Sequence, residues 1–409
     1  MSTPNSLLKP IYLDNNATTR CSAEAVAAML PFFTEQFGNP SSMHSFGAKV
    51  GHAVKAARAS LQKLLGAEYD SEIIYTSGGS EADNTAILSA LKANPEKKEI
   101  ITTTVEHHAV LHLCDQLEKE GYKVHKLKVD GRGRLDLAEY QALLSDMVAV
   151  VSVMWANNET GTFFPVEKMA EMAKAAGVLF HTDAVQAVGK IPLDLKNSAI
   201  DMLSLSGHKL HGPKGIGALY LRRGVRFRPL LRGGGQERGR RAGTENVPAI
   251  VGLGVAAEQA LEHMKEENTR VRDLRDRLQN AILSAVPCCF ATGDVDNRLP
   301  NTLNIAFEYV EGEAILMLLS KQGIAASSGS ACTSGSLEPS HVMRAMGIPY
   351  TAAHGTIRFS LSRENTVEEI DRVAAAVPGI IAQLRKLSPY WNGDGPVTDP
   401  DKAFAPTYA

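Results

Sequence analysis

The chain has 409 residues and a formal net charge of −2, with 44% apolar and 22% charged residues. That length suits two domains with a core each, and the near-neutral balance gives no electrostatic basis for binding nucleic acid or an anionic membrane. The first ten residues lack the basic and apolar regions of a secretory signal, and no apolar run approaches the ~20 residues of a membrane helix, so a cytoplasmic protein is expected.

Regular structure begins at about residue 45. Val50, Val54, Ala57, Leu61 and Leu64 recur at helical spacing, and Gly66 is a natural C-terminal stop. Residues 72–76 read as a strand, Ser77-Gly78-Gly79-Ser80 as a turn, and 81–91 as a helix. Further strands are predicted at 100–104, 124–129, 148–155, 178–182, 202–205 and 217–221, with helices between most of them. Repeated β–α units imply a mainly parallel sheet covered on both faces, a three-layer α/β sandwich. Residues 222–245, rich in Arg and Gly, break this rhythm, and a loop of that length inside a compact domain is usually functional. A helix from about Asn246 leads to a crossover at 270–285. Strands at 303–307 and 356–360 then mix with helices at 313–322 and 366–383, the pattern of a smaller α+β domain. The expected division is 20–265 for the large domain, 1–19 with 266–387 for the small one, and 388–409 as an irregular Pro- and Gly-rich tail.

The five cysteines are Cys21, Cys114, Cys288, Cys289 and Cys332. An odd number without a C-x-x-C pair argues against both a disulfide framework and a structural zinc site. Four of them read as small, partly buried hydrophobes. Cys332 differs, because its neighbours Ser327-Ser328-Gly329-Ser330-Ala331 and Thr333-Ser334-Gly335-Ser336 cannot build a core around it. A lone cysteine on a Gly/Ser loop suits a sulfur carrier.

Other residues suit pyridoxal phosphate. That cofactor needs a lysine for a Schiff base, an acid against the pyridine nitrogen, a phosphate cradle and a group over the ring face. Lys209 follows a strand that enters a Gly-containing turn, and Asp183 ends the preceding apolar strand. Alone, a strand-end aspartate is a turn residue and a lysine is a solvated charge. Together with Gln186 and His208 they form a set. Gly78-Gly79-Ser80 joins a strand to a helix, so free N–H groups and the helix dipole face an anion; Ser206, His208 and Thr244 add donors. Gly79, Asp183 and Ser206 all fall near the carboxyl ends of predicted strands, where open α/β sheets bind ligands. His107 is placed to stack on a ring and shuttle protons. His108 and His112 share a helix face, but no Cys or acidic partner supports a metal site, so no metal is expected in the isolated chain. No G-x-x-x-x-G-K-[ST] loop occurs, and the 212–217 run Gly-Pro-Lys-Gly-Ile-Gly is not a dinucleotide fingerprint at a strand–helix junction.

With these residues in view, the chain resembles the cysteine desulfurases of the NifS/IscS group, which are class V, fold-type I pyridoxal phosphate enzymes. The likeness runs through the motifs at 12–19, 38–44, 155–161, 206–209, 240–246, 328–334 and 357–360. Arg363 and the 387–391 run Leu-Ser-Pro-Tyr-Trp resemble the nitrogen-fixation NifS branch most. The resemblance implies that Lys209 holds the cofactor, Asp183 pairs with its ring nitrogen, Gln186 meets its ring hydroxyl and His107 stacks on it. It implies a phosphate held by Gly79, Ser80, Ser206 and His208, with Thr244 reaching across from the partner subunit of a homodimer. Asn158 and Arg358 would grip the substrate carboxylate, and Asn158 would also touch the cofactor. One departure is Gly79-Ser80, where many relatives have Ala-Thr or Gly-Thr; the hydroxyl is kept. The implied reaction converts L-cysteine to L-alanine and leaves a persulfide on Cys332. An iron–sulfur scaffold protein would take that sulfur, chiefly for nitrogenase clusters, and only with such a partner would Cys332 be a transient cluster ligand. An unperturbed thiol of pKa ~8.5 is a few per cent ionised at pH 7, so His107 or the substrate must assist it. The alternatives are a housekeeping IscS-type sulfur donor, a selenocysteine lyase or aminotransferase on the same fold, and a docking scaffold without chemistry.

Overall fold

The computed structural model describes residues 9–328, 338–393 and 395–397; Cys332 lies outside the described residues. A short strand β1 (Ile11–Tyr12) precedes the long helix Ser45–Leu65. The side chain of His44 caps that helix, and the five residues at helical spacing are its buried face. Gly66 ends it in the left-handed region at φ 59°. A Cβ there would meet Leu193 O at 2.6 Å, so both the conformation and the space demand glycine.

Strands β2 (Ile73–Thr76), β3 (Glu99–Thr103), β4 (Lys123–Leu127), β5 (Val148–Ser152), β6 (Leu179–Asp183), β7 (Met202–Ser206) and β8 (Gly217–Leu221) form one sheet, in the order β2-β8-β7-β6-β5-β3-β4. From β7 to β4 all pairings are parallel, whereas β8 runs antiparallel between β7 and β2. Every residue of β2, β5, β7 and β8 is buried. Alternate side chains go to opposite faces. Ile73 and Tyr75 pack with Leu61 and Leu65 on one side, and Ile74 packs with Ala86, Ile87 and Leu91 on the other. Burial on both faces explains why these strands read as continuous apolar runs. The sheet and its covering helices thus make the three-layer α/β arrangement.

A second sheet has β10 (Thr302–Phe307) between β9 (Cys289–Ala291) and the later strand β12 (Thr356–Ser360), all antiparallel. Strand β11 (Ile324–Ala325) pairs in parallel with β1. A separate cluster holds Ile11, Leu13, Leu303, Ile305, Phe307, Ile357 and Phe359 together with the helices Arg272–Ala285, Gly312–Lys321 and Val367–Arg385. The last helix starts with a capping box, Thr366 with Glu369. Beyond it, Trp391–Asn392 pairs with Gly395–Pro396. Among the described residues, no helix is long and apolar enough to cross a membrane.

Helices Ala23–Met29 and Pro31–Thr34 precede the expected start of regular structure, and two details of the seven-stranded sheet depart from the sequence pattern. Strand β5 stops at Ser152 rather than running to 155, because the apolar residues continue past the ladder into buried turns. The reversed direction of β8 left no mark in a pattern that records burial but not direction.

Candidate active site

The ends of β6 and β7, the start of helix Gly79–Ala93 and the turn before helix His108–Lys119 open on one cavity of about 360 Å³. Lys209 sits in a short 3₁₀ turn directly after β7, so its amine enters the cavity rather than solvent. Nζ donates to Asn16 O at 2.6 Å and to Ala17 O at 2.7 Å. Asp183, the last residue of β6, is buried and accepts from the Val185 N–H at 2.9 Å. Burial raises its pKa, while the Val185 N–H and the nearby Lys209 charge oppose that rise. Asp83 lines the same cavity with Oδ1 buried and without a hydrogen bond, 3.7 Å from His181 Nε2, and burial beside Asp183 raises its pKa as well. The two carboxyls together make a place for a cation or for a protonated ring nitrogen.

His107 caps helix His108–Lys119, its Nδ1 accepting from the Ala109 N–H at 3.1 Å. That bond leaves the proton of the neutral ring on Nε2. Burial first, and then the Lys209 charge, pull its pKa down to about 4, so at pH 7 the ring is a neutral plane. Gln186 donates from Nε2 to Asn16 O at 3.0 Å. Asn158 accepts at its carbonyl from Asn16 Nδ2 and from Arg358 Nη1, at 3.2 and 2.9 Å. Arg358 is 2% exposed, and its Nη2 pairs with Asp14 Oδ1 at 2.9 Å. Its Nε is buried without a partner. Each Nη carries a second N–H, and Arg358 lines the cavity, so the guanidinium can still donate to an entering carboxylate.

Helix Gly79–Ala93 begins without a side-chain cap, so its first N–H groups face the recess in front of it. This recess, about 450 Å³, is lined by Gly79, Ser80, Ser206, His208, Lys214 and Thr18 among others. A Cβ on Gly79 would meet Val185 Cγ2 at 2.8 Å, and one on Gly217 would meet Gly78 Cα and C at 2.8 Å. Glycine is thus required for the close packing of the turn, and the uncapped N–H groups at the helix start are what an anion cradle needs. His208 Nδ1 bonds with Thr18 Oγ1 at 3.1 Å, and burial, then Lys209 and Lys214, lower its pKa to about 4.

Of the residues singled out in the sequence, Gly79, Ser80, His107, Asn158, Asp183, Gln186, Ser206, His208, Lys209 and Arg358 line the cavity together. Thr244 does not. It is exposed and lines a separate recess with Glu237 and Arg241, which shares Ser77 and Gly215 with the anion recess. Cys332 is outside the described residues. Asn16, Ala17, Asp83 and Lys214 carried no role in the sequence reading. Asn16 lay inside a quoted motif, and Asp83 is the acid one turn after the Gly-Gly-Ser turn, which was a usable signal.

The donor set fits pyridoxal phosphate: an amine, a buried carboxyl pair, a neutral imidazole and an uncapped helix start with hydroxyls around one chamber. The family model for class-V aminotransferases matches residues 11–373. The chain belongs to the class-V aminotransferase family. Its cofactor is pyridoxal 5′-phosphate. The "Cysteine desulfurase NifS" of Azotobacter vinelandii is 74% identical over 398 residues, covering 97% of this chain and 99% of the relative. A "Cysteine desulfurase" of Gluconacetobacter diazotrophicus is 66% identical, covering 98% and 100%. Among solved structures, a "NifS-like protein" superposes with a TM-score of 0.86 at 39% identity, covering 92% of this chain and 100% of that one. "SspA in complex with cysteine" does so with a TM-score of 0.77 at 36% identity, covering 86% and 98%. These likenesses put the chain with the fold-type I pyridoxal phosphate enzymes.

Proposed function

We infer that the protein is a pyridoxal phosphate-dependent cysteine desulfurase that releases L-alanine from L-cysteine and supplies sulfur for iron–sulfur cluster assembly, including nitrogenase clusters. One observation carries the reading at the site: Lys209, Asp183, His107 and Arg358 line a single chamber. A chamber with a carboxylate receptor at one end and an anion cradle at the other suits a free amino acid on a phosphorylated ring. When bound, the cofactor would supply a sink for the electrons left on removal of the α-proton.

The residues of the chain do the rest. Lys209 would hold the cofactor and, once released from it, move the α-proton; as a free amine its Nζ rests on the carbonyls of Asn16 and Ala17. Asp183 keeps the ring nitrogen protonated, and Gln186 meets the ring oxygen. His107 covers the ring face as a neutral plane, while Gly79, Ser80, Ser206 and His208 hold the phosphate. Asn158 and Arg358 receive the substrate carboxylate. Cys332 takes the sulfur as a persulfide and passes it to an iron–sulfur scaffold protein. The named relatives support this reading, since SspA was solved with cysteine and the NifS protein is a desulfurase by name.

We propose further that the protein works as a homodimer in the cytoplasm and that Thr244 serves the partner's phosphate site. Its absence from the cavity of its own chain favours this, as does the exposed apolar stretch Leu30, Phe33, Phe37, Met43 and Phe46. The proposed domains are 20–265 and 1–19 with 266–387, followed by the tail 388–409; one hydrophobic cluster lies wholly within the second, although Ala306 and several residues of 342–353 pack into the core of the first.

The test is the intact mass and peptide map of the purified protein after exposure to L-cysteine without reductant. One added sulfur on Cys332 with alanine released is the expected result. Substrate consumed with no sulfur on the protein would point to transamination or elimination and remove Cys332 from the reaction.

A further inference from the structure

Lys190 is 6% exposed, one turn beyond Gln186 and with no assigned role. A lysine is almost never buried without a purpose for its charge. Nζ donates to the side-chain Oε1 of Gln186 at 3.0 Å and to the main-chain O of the same residue at 3.2 Å. A primary amine holding two carbonyl oxygens must donate to both, whichever its protonation state. The Gln186 amide is thereby locked with its oxygen toward Lys190 and its NH₂ toward Asn16 O and the cavity. Asn16 O is also an acceptor of Lys209 Nζ. A continuous chain of hydrogen bonds therefore runs Lys190–Gln186–Asn16–Lys209.

We propose that Lys190 is a positioning residue that fixes and polarises Gln186, so that this edge of the cavity presents a donor to an anionic oxygen on the cofactor ring. The inference rests on the reading of Gln186 as the partner of that oxygen. Without Lys190 the amide can flip and present its own oxygen, which would repel the ring oxygen. Lys190 shares a small recess with Glu267, His211, His263, Arg363 and Lys209; the Arg358 charge also bears on it, and its own charge bears on His208. Burial lowers its pKa, and the Glu267 carboxylate opposes that fall.

The experiment is a spectrophotometric pH titration of the visible cofactor band in the holoenzyme, paired with cofactor affinity by equilibrium dialysis. An amine that donates to the Gln186 oxygen, and is charged below its lowered pKa, favours the more negative, deprotonated form of the chromophore. In Lys190→Met the midpoint should therefore rise by about one pH unit, with weaker cofactor retention. Against a Gln186→Leu background, adding Lys190→Met should shift the midpoint no further. An unmoved midpoint and unchanged retention in Lys190→Met would overturn the proposal. So would a full shift that persists in Gln186→Leu, which would mean that the charge acts without the amide. Should Lys190→Met fail to fold, Lys190→Gln is neutral but polar and is expected to raise the midpoint in the same sense; an unmoved midpoint there overturns the proposal equally. A wild-type protein with no cofactor band at all would instead refute the reading on which the inference depends.

Discussion

Arg358 is buried, yet two of its nitrogens are already engaged, by Asn158 O and by Asp14. Each Nη keeps a second N–H while Nε is sealed from solvent, so a substrate carboxylate can take the remaining Nη hydrogens or displace Asp14 for a two-point grip. In either case truncating the guanidinium removes a charge-assisted bond in a dry site. Arg358→Ala is expected to weaken the apparent affinity for L-cysteine by about 2–5 kcal/mol, read as a rise in KM; an unchanged KM would move the carboxylate site elsewhere. His107 yields a second expectation at this scale. Its folded pKa, about 4, lies below the ordinary ~6.5 of a free histidine. The unfolded chain then binds the extra proton first, so the contribution of this ring to stability is complete above pH ~6.5 and falls by up to about 1.4 kcal/mol per pH unit toward 4. Histidine NMR of the apoprotein should show His107 neutral at pH 5.5, and a midpoint near 6.5 would show a solvated ring. A ring so hard to protonate is also a poor base for Cys332, which shifts that task toward the substrate. Strand-end placement made Lys209 and Asp183 readable in the sequence. Asn16 was not, because what it does depends on a carbonyl that meets Lys209 from 193 positions away.

The 222–245 loop shows the same limit for whole elements. Its composition flagged it as functional, but nothing local says how it is held. Glu237 and Arg238 adopt left-handed backbone at φ 48° and 60°, a conformation that costs non-glycine residues energy. What holds them is remote: Arg58 grips Glu237 with two bonds of 2.9 and 2.6 Å, and the Tyr75 N–H donates to the same carboxylate at 3.0 Å. Arg241 is clamped in turn by Glu81 at 2.9 and 3.1 Å. The Arg58–Glu237 pair is buried, so breaking one side strands a charge, at a cost of about 3–5 kcal/mol. Glu237→Ala should accordingly speed amide exchange at Tyr75 by about two orders of magnitude or more, because each 1.4 kcal/mol is tenfold. A change under threefold would mean that the pair behaves like a solvated surface bridge. By contrast β8 and β12 were readable residue for residue, since their burial pattern alone defines them. Strand β9 escaped notice, as a three-residue strand opened by a vicinal cysteine pair has neither length nor alternation to announce it.

At the scale of the whole molecule, the surface carries an apolar debt that one chain does not settle. Leu30, Phe33, Phe37, Met43 and Phe46 are each more than half exposed, and the Phe37 and Phe46 rings lie 5.8 Å apart. Single exposed apolar residues need no explanation, but five within one short segment make a surface suited to cover by a partner. The proposed homodimer would cover it and would bring Thr244 to the anion recess of the other subunit. Both consequences should then fail together. Phe37→Arg with Phe46→Glu is expected to shift the sedimentation of the holoenzyme from dimer to monomer and to weaken cofactor retention in the same samples. Neither residue lines the cavity, so loss of cofactor with the dimer intact would mean a damaged fold rather than a lost partner. A monomer that keeps its cofactor at wild-type affinity would leave the dimer standing as an association but would end the case for Thr244 acting across it. A wild-type protein that sediments as a monomer at micromolar concentration would sink both.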